Sequence, residues 1–135
     1  MFLDNNKFIQ ITYHVLKIEH DYNTNFVFIK TSEDYQKNKN SPNLIEIKTG
    51  WKLLTWAEHK EIYSSCLKND SATERLDFIK FRDLKLRTCL KTWDFKNDDG
   101  VEVPINDETI NNLNPDIASG LIDGFEKLTE PTNED

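Results

Sequence analysis

The stretch Phe8-Ile-Gln-Ile-Thr-Tyr-His-Val-Leu-Lys-Ile18 decides the fold, because apolar and polar residues alternate along much of it. Side chains at every second position of a β-strand point to the same face of a sheet. Four apolar residues of this stretch follow the two-residue period: Ile9, Ile11, Tyr13 and Val15. The pattern therefore predicts a strand with one face in a hydrophobic core.

The residues that follow predict a small sheet around this strand. Residues 21–25 are typical of a turn, and Phe26-Val-Phe-Ile-Lys-Thr31 predicts a second strand that forms a hairpin with the first. Residues 32–43 are polar and predict an exposed loop. Leu44-Ile-Glu-Ile-Lys-Thr49 predicts a third strand.

Two capping-box sequences predict helix starts in the middle of the chain. Thr55-Trp-Ala-Glu58 predicts a helix to about Leu67, with Trp56, Ile62 and Cys66 near one face. Ser71-Ala-Thr-Glu74 predicts a longer helix over residues 72–92. This second helix would place four apolar side chains close to one stripe: Ile79, Leu86, Leu90 and Trp93.

The last third of the chain predicts further helices. Residues 96–105 predict a turn followed by an extended segment, and Asn106 is a suitable cap for a short helix through Asn112. Asn114 followed by Pro115 predicts the start of a final helix, which runs to about residue 128. Its apolar side consists of Ile117, Leu121, Phe125 and Leu128. Two glycines on a neighbouring face, Gly120 and Gly124, allow close contact or weaken the helix.

These segments predict an α+β fold, in which a small N-terminal antiparallel sheet is followed by three to four helices. A chain of 135 residues suits one domain, which we assign to residues 1–128, with residues 129–135 as a disordered acidic tail. Only 37% of the residues are hydrophobic, but eight Phe, four Tyr and three Trp supply large surfaces for a core. Cys66 and Cys89 are expected as buried thiols, because two cysteines do not make a disulfide scaffold.

The charge of the chain is unevenly distributed. Residues 1–90 carry 14 Lys and Arg against 12 Asp and Glu, whereas residues 91–135 carry three Lys against 12 acids. An acidic C-terminal third repels phosphates and disfavours nucleic-acid binding there. The basic segment Phe78–Arg87 is the best nucleic-acid candidate, but its cations match the solvated face of an ordinary amphipathic helix. We expect no signal peptide and no membrane span, and therefore a reducing cytoplasm.

The sequence contains no recognised catalytic or cofactor motif. Its three histidines, His14, His20 and His59, lack the spacing of a zinc site. Asp98-Asp-Gly100 resembles the centre of a calcium loop, but that register puts Phe95 at the first ligand position. We therefore expect no metal, no cofactor and no enzyme activity. An enzyme built on a pair of carboxylates stays open as a third alternative.

The run of residues after the predicted long helix carries a resemblance to a known family. It consists of Trp93-Asp-Phe95, Asp98-Asp-Gly100, Val103-Pro-Ile105, Thr109-Ile110, Leu113 and Pro115, followed by the amphipathic last helix. This run resembles a segment of small morphogenesis proteins of tailed bacteriophages, most like tail assembly chaperones. The helix start at Thr55-Trp-Ala-Glu58 is similar as well, and the resemblance covers roughly residues 45–128.

The resemblance implies a protein of the host cytoplasm that binds unassembled tail-tube or tape-measure subunits, with neither nucleic acid nor membrane as partner. A homo-oligomer stays open. Five residues are the expected partner-binding set, with the Leu121 and Phe125 face docking on the client: Trp93, Phe95, Ile117, Leu121 and Phe125. The alternative is a virion structural protein, a head–tail connector or baseplate component, that adds its N-terminal strands to a neighbour's sheet.

Overall fold

A computed structural model describes residues 7–70 and 73–130. The strands are β1 (Phe8–His20), β2 (Asn23–Phe28), β3 (Leu44–Lys52), β4 (Leu67–Asp70), β5 (Thr73–Leu76) and β6 (Leu90–Trp93). The helices are α1 (Ser32–Asn38), α2 (Trp56–Ser65), α3 (Phe78–Cys89), α4 (Asp107–Asn111) and α5 (Pro115–Thr129). The predicted α+β class is confirmed.

The main sheet has the strand order β2-β1-β3-β6, and every neighbouring pair is antiparallel. The predicted first strand is confirmed and extends to His20. Because side chains alternate between the two faces, β1 and β3 direct one row of large residues into the core. That row consists of Ile11, Tyr13, Val15, Ile47 and Trp51.

Helix α5 covers the inner face of this sheet. Its predicted cap is confirmed, since the Asn114 side chain accepts a hydrogen bond from the Asp116 amide at 2.8 Å. The Phe125 ring stacks on Trp51 with 4.5 Å between ring centroids. The Tyr13 hydroxyl donates to the Leu121 carbonyl oxygen at 2.7 Å, which ties the helix backbone to β1.

Gly120 and Gly124 allow this close packing of α5 on the sheet. A Cβ atom added at Gly120 would lie 2.1 Å from an atom of the Phe28 ring, and one at Gly124 would lie 2.4 Å from the Tyr13 ring. Of the two alternatives for these glycines, the structure shows close contact, and the partners are aromatic side chains of the sheet. The Tyr13 and Phe28 rings meet edge to face at 5.6 Å, which gives them little room to move.

The predicted exposed loop over residues 32–43 is wrong in its first half, which forms α1. The Thr31 side chain caps this helix by accepting from the Asp34 amide at 3.1 Å. Acidic residues in the first turn favour the helix dipole. The helix buries no residue fully, which is why its polar sequence resembled a loop. It contacts the sheet through Tyr35, whose ring centroid lies 4.7 Å from that of His14.

The predicted long helix over residues 72–92 is wrong at both ends. Ser71 and Ala72 lie outside the described residues, and Thr73–Leu76 pairs with β4 as a hairpin. The helix begins at Phe78, because the Asp77 side chain caps it through the Lys80 amide. The structure therefore caps this helix with Asp77, whereas the sequence pattern indicated Ser71 as the cap.

The last predicted turn of that helix is strand β6, which pairs with β3. Leu90 and Trp93 therefore lie in the sheet, and Leu86 is buried in the core. Ile79 was expected on the same stripe but is 84% exposed. Trp93 donates its indole N–H to the Val103 carbonyl oxygen at 2.6 Å, which holds the extended segment against the sheet edge.

The C-terminal predictions agree better with the structure. Asn106 caps α4 in a capping box with Thr109. Helix α5 ends at Thr129, and Glu130 forms an ion pair with Lys85, so the first two residues of the predicted tail belong to the fold. Residues 131–135 lie outside the described residues. Leu128, expected on the apolar side of α5, is 66% exposed.

We expect Gly124→Ala to lower the free energy of unfolding by about 1–3 kcal/mol, because the new methyl group would overpack the Tyr13 contact. Urea denaturation measures this change. If Gly124 were only a weak helix position, alanine would instead stabilise the protein by about 1 kcal/mol. The exposed Ser119 on the same helix supplies the control, and Ser119→Ala should be neutral or slightly stabilising.

Candidate interaction surface

The five residues predicted to bind a partner belong to the hydrophobic core or pack against it. Leu121 is fully buried, Phe125 and Ile117 are also buried, and Trp93 is 9% exposed. Phe95 is half-buried and packs its ring 4.8 Å from that of Trp93. The expected docking face of Leu121 and Phe125 is therefore covered by the sheet, and it offers no surface to a client in this fold.

Helix α2 instead displays a row of three rings, Trp56, His59 and Tyr63, which we call the aromatic row. Their spacing places them on one side of the helix. Trp56 stacks on His59, and His59 stacks on Tyr63, each with 6.1 Å between ring centroids. Trp56 is 76% exposed and Tyr63 is 42% exposed, so the row presents large apolar area to solvent.

A small second core supports the aromatic row from beneath. The Phe81 ring of α3 is buried, and it meets His59 and Tyr63 edge to face at 6.0 and 6.1 Å. Phe81 also packs with Ile62 and Cys66, which are buried residues of the α2 segment. His59 and Tyr63 therefore have a packed support, and Trp56 stacks on His59. Exposed apolar side chains also occur in the first turn of α3, at Phe78 and Ile79.

The start of α2 is held by a capping box and an ion pair. Thr55 and Glu58 exchange the two predicted hydrogen bonds, which confirms this box. Glu58 also pairs with Lys52 at the end of β3. The bond from Lys52 and the bond from the Thr55 amide lower the pKa of Glu58 to about 2. The first turn of α2, which carries Trp56, is therefore tied to the main sheet.

Carboxylates of α5 engage the cations that the sequence placed on a solvated helix face. Arg82 pairs with Asp123 and, through its Nε atom, with Glu126 at 2.9 Å. Lys85 is only 4% exposed and pairs with Glu126 at 3.1 Å and with Glu130. The expectation of a solvated face is wrong for Lys85, whereas the Arg82 side chain is ion-paired but remains 35% exposed. Their charge is compensated inside the protein, which leaves less of it for phosphates.

Arg87 continues this ion pairing toward α4. Its guanidinium group bonds to Asp83 on its own helix at 3.0 Å and to Asp107 at 2.9 Å. It also donates to the side-chain oxygen of Asn111. Several of the acids in the C-terminal third thus serve to join α4 and α5 to α3.

The two cysteines and Tyr13 are buried in the described part of the chain. Cys66 and Cys89 are free and buried, and burial raises the pKa of Cys89 to about 11, which keeps its thiol protonated. Burial also raises the pKa of the Tyr13 hydroxyl. Within residues 7–70 and 73–130, no three His, Cys, Asp or Glu side chains are grouped so that they could bind a metal ion.

The predicted turn at residues 96–100 is confirmed, and its side chains stabilise the backbone. The Asn97 side-chain oxygen accepts from the amides of Asp99 and Val101 at 2.9 and 3.0 Å. Gly100 adopts a φ of 77°, a left-handed conformation that favours glycine. The Asp-Gly sequence therefore has a structural explanation in this turn.

Comparison with protein families, curated proteins and solved structures finds no match to this chain. In the part of the chain that the structure describes, none of the helices combines the length and the apolar character needed to cross a membrane.

The sequence did contain a signal for the aromatic row. Trp56, His59 and Tyr63 occur at positions i, i+3 and i+7, which lie on one side of a helix. The apolar spacing also predicts Trp56 near one face with Ile62 and Cys66, but those two residues face the second core. Spacing alone does not distinguish an exposed ring from a buried one. Trp51 is fully buried, for example, whereas Trp56 is 76% exposed.

We expect Glu58→Gln to lower the free energy of unfolding by about 1 kcal/mol at pH 7, because Gln keeps the capping bond but loses the ion pair with Lys52. Urea denaturation at several pH values measures the difference. Because the folded-state pKa is lowered, the stabilisation by the charge is present above about pH 4.5 and is lost as pH falls toward 2. The gap between the two proteins should therefore close on acidification.

The exposed Glu61 of the same helix is the matched control, and Glu61→Gln should leave stability nearly unchanged at each pH. A Glu58→Gln deficit of the same size at pH 7 and pH 2 would contradict the assignment of the effect to the carboxylate charge.

Proposed function

We propose that this chain is a non-enzymatic assembly chaperone of a tailed bacteriophage, which binds unassembled tail-tube or tape-measure subunits in the host cytoplasm. The resemblance of the segment from Trp93 to Pro115 supports this class of function. The aromatic row carries the proposal, because it displays large rings to solvent and two of them, His59 and Tyr63, pack on Phe81.

Exposed aromatic side chains are suited to this role. Trp and Tyr are enriched among the residues that contribute most of the binding energy at protein interfaces. An exposed apolar patch commonly marks an interaction site. A client subunit has apolar surface that its polymer later covers, and the row would mask such a surface until assembly. The net charge of −7 helps to keep the complex soluble.

A second candidate function rests on the free edge of strand β2. This strand, Asn-Thr-Asn-Phe-Val-Phe, has no charged residue and no proline, the features that usually prevent edge-to-edge pairing. One amide of the edge, that of Phe26, donates to the Asp116 carboxylate at 3.1 Å. A connector or baseplate protein retained in the particle would pair this edge with a neighbouring subunit.

The test is co-purification with tail-tube and tape-measure proteins expressed in the same cells. The double variant Trp56→Ala/Tyr63→Ala should reduce recovery of the client at least tenfold, because loss of interface hot spots costs about 2 kcal/mol or more each. Tyr22→Ala is the matched control, since Tyr22 is a fully exposed aromatic residue at the β1–β2 turn. Equal recovery of the client with the wild type, the double variant and Tyr22→Ala would contradict the proposal.

Mass spectrometry of purified phage particles separates the two candidate functions. A chaperone that leaves its client on assembly should be absent from the particles, although it is abundant in the lysate. Stoichiometric presence in the particles would instead support the connector or baseplate function.

A further inference from the structure

A groove with a volume of about 530 Å³ lies between the sheet and the second half of α5. Its apolar lining includes Ile11, Tyr13, Phe28 and Ile29 from the sheet side, and Gly120, Gly124 and Leu128 from the helix. The volume is within the range of about 300–1,000 Å³ that is typical of ligand sites. Leu128, which was expected on the apolar side of α5, is 66% exposed at this groove.

The groove runs beside a part of β1 that has only one neighbouring strand. Pairing between β1 and β2 ends where the Ile29 amide donates to the His14 carbonyl oxygen at 2.8 Å. The N-terminal half of β1, from Phe8 to Tyr13, pairs with β3 on its other side. Among the described residues, no strand lies beside this half of β1 on the side of β2.

The ladder shows which backbone groups face this open side. In an antiparallel pair, alternate residues direct their N–H and C=O groups toward the same neighbour. The Lys17 amide donates to the Asn43 carbonyl oxygen, and the Leu53 amide donates to the Lys7 carbonyl oxygen. The odd-numbered residues of β1 therefore direct their backbone groups toward β3. The even-numbered residues therefore direct their backbone groups to the open side, and these are Phe8, Gln10 and Thr12.

We propose that this groove binds an extended peptide segment of a partner protein. The segment pairs as a strand with the open half of β1, on the side of β1 where β2 lies. The backbone of the peptide pairs with the even-numbered residues from Phe8 to Thr12. Every second side chain of the peptide enters the groove and packs over the two glycines of α5 and Leu128. A small molecule would fill the groove but would leave the row of backbone groups unpaired.

The charges at the groove indicate what the peptide carries. Lys30 and Lys127 line it from the sheet side and from α5, and neither forms an ion pair within the described ranges. The three carboxylates of the lining, on α5 and just after it, are already paired with Arg82 and Lys85. The site therefore matches a segment with alternating apolar residues and a carboxylate at one end.

This site differs from the aromatic row in position and in chemistry, so the inference goes beyond the proposed function and stands without it. The row offers rings from α2 to a folded or apolar surface. The groove offers the open edge of β1, which pairs with the backbone of a peptide. A chaperone that has both would hold a client's unpaired strand while it covers apolar surface elsewhere.

Fluorescence anisotropy with a labelled eight-residue peptide of alternating Val and Thr that ends in Asp tests the proposal on the full chain. We expect saturable binding, at least tenfold weaker for the same peptide with N-methyl groups on alternate amides, because methylation removes the ladder donors. A peptide that ends in Lys should bind about fivefold more weakly, as expected for a partly exposed charge pair. Equal binding of the methylated peptide, or no binding of the parent peptide, would overturn the proposal.

Two variants locate the site. Thr12→Pro removes an amide that faces the open edge but none that pairs with β3, and it should abolish peptide binding. Lys127→Glu changes only the rim of the groove, so this variant keeps the test valid if the proline variant does not fold. Lys127→Glu should reverse the preference between the Asp and Lys peptides. Lys39→Glu, at the exposed end of α1, is the control and should bind like the wild type.

The outcomes also separate this inference from the proposed function. The Trp56→Ala/Tyr63→Ala variant should bind the peptide normally even where it loses the client. A dimer of the chain that Thr12→Pro disrupts, without binding of any peptide, would overturn the proposal and assign the edge to a second copy. Peptide-induced NMR shifts confined to α2 would overturn it as well, because they would place binding at the aromatic row.

Discussion

The stacking of Phe125 on Trp51 is the contact on which the rest of the structure depends. Trp51 is a large, fully buried side chain, and a buried indole N–H requires a hydrogen-bond acceptor. It donates to the Thr49 hydroxyl at 2.7 Å, and that hydroxyl donates to the Ile11 carbonyl oxygen at 2.9 Å. The ring is thus fixed to two strands, and α5 can pack on it in a defined position.

The position of α5 determines both the ion pairs and the groove. Where its glycines face the sheet, the helix approaches the aromatic rings of β1 and β2 directly. Its carboxylates then lie within reach of Arg82 and Lys85, so α3 is joined to the same layer. The groove opens toward the C-terminal end of α5, where the pairing of β2 with β1 has already ended.

Burial separates the residues that build the molecule from those that can meet a partner. The sheet covers the apolar stripe of α5 at Ile117, Leu121 and Phe125, whereas Leu128 at its end is exposed. The aromatic row of α2 has only one side packed, against Phe81, and its other side faces solvent. The covered residues of α5 belong to the core, whereas exposed rings that stack on a buried ring indicate an interface.

Elements that rest on local hydrogen bonds follow from the amino-acid sequence alone. The caps at Thr55, Asn106 and Asn114 depend on side chains within three residues, and the alternation in β1 depends on backbone geometry. Tertiary structure alone decided that Thr73–Leu76 and β6 are strands, because distant pairing can override helix propensity. It also decided which apolar faces are covered, since burial depends on the element that packs opposite and not on the spacing of residues along the chain.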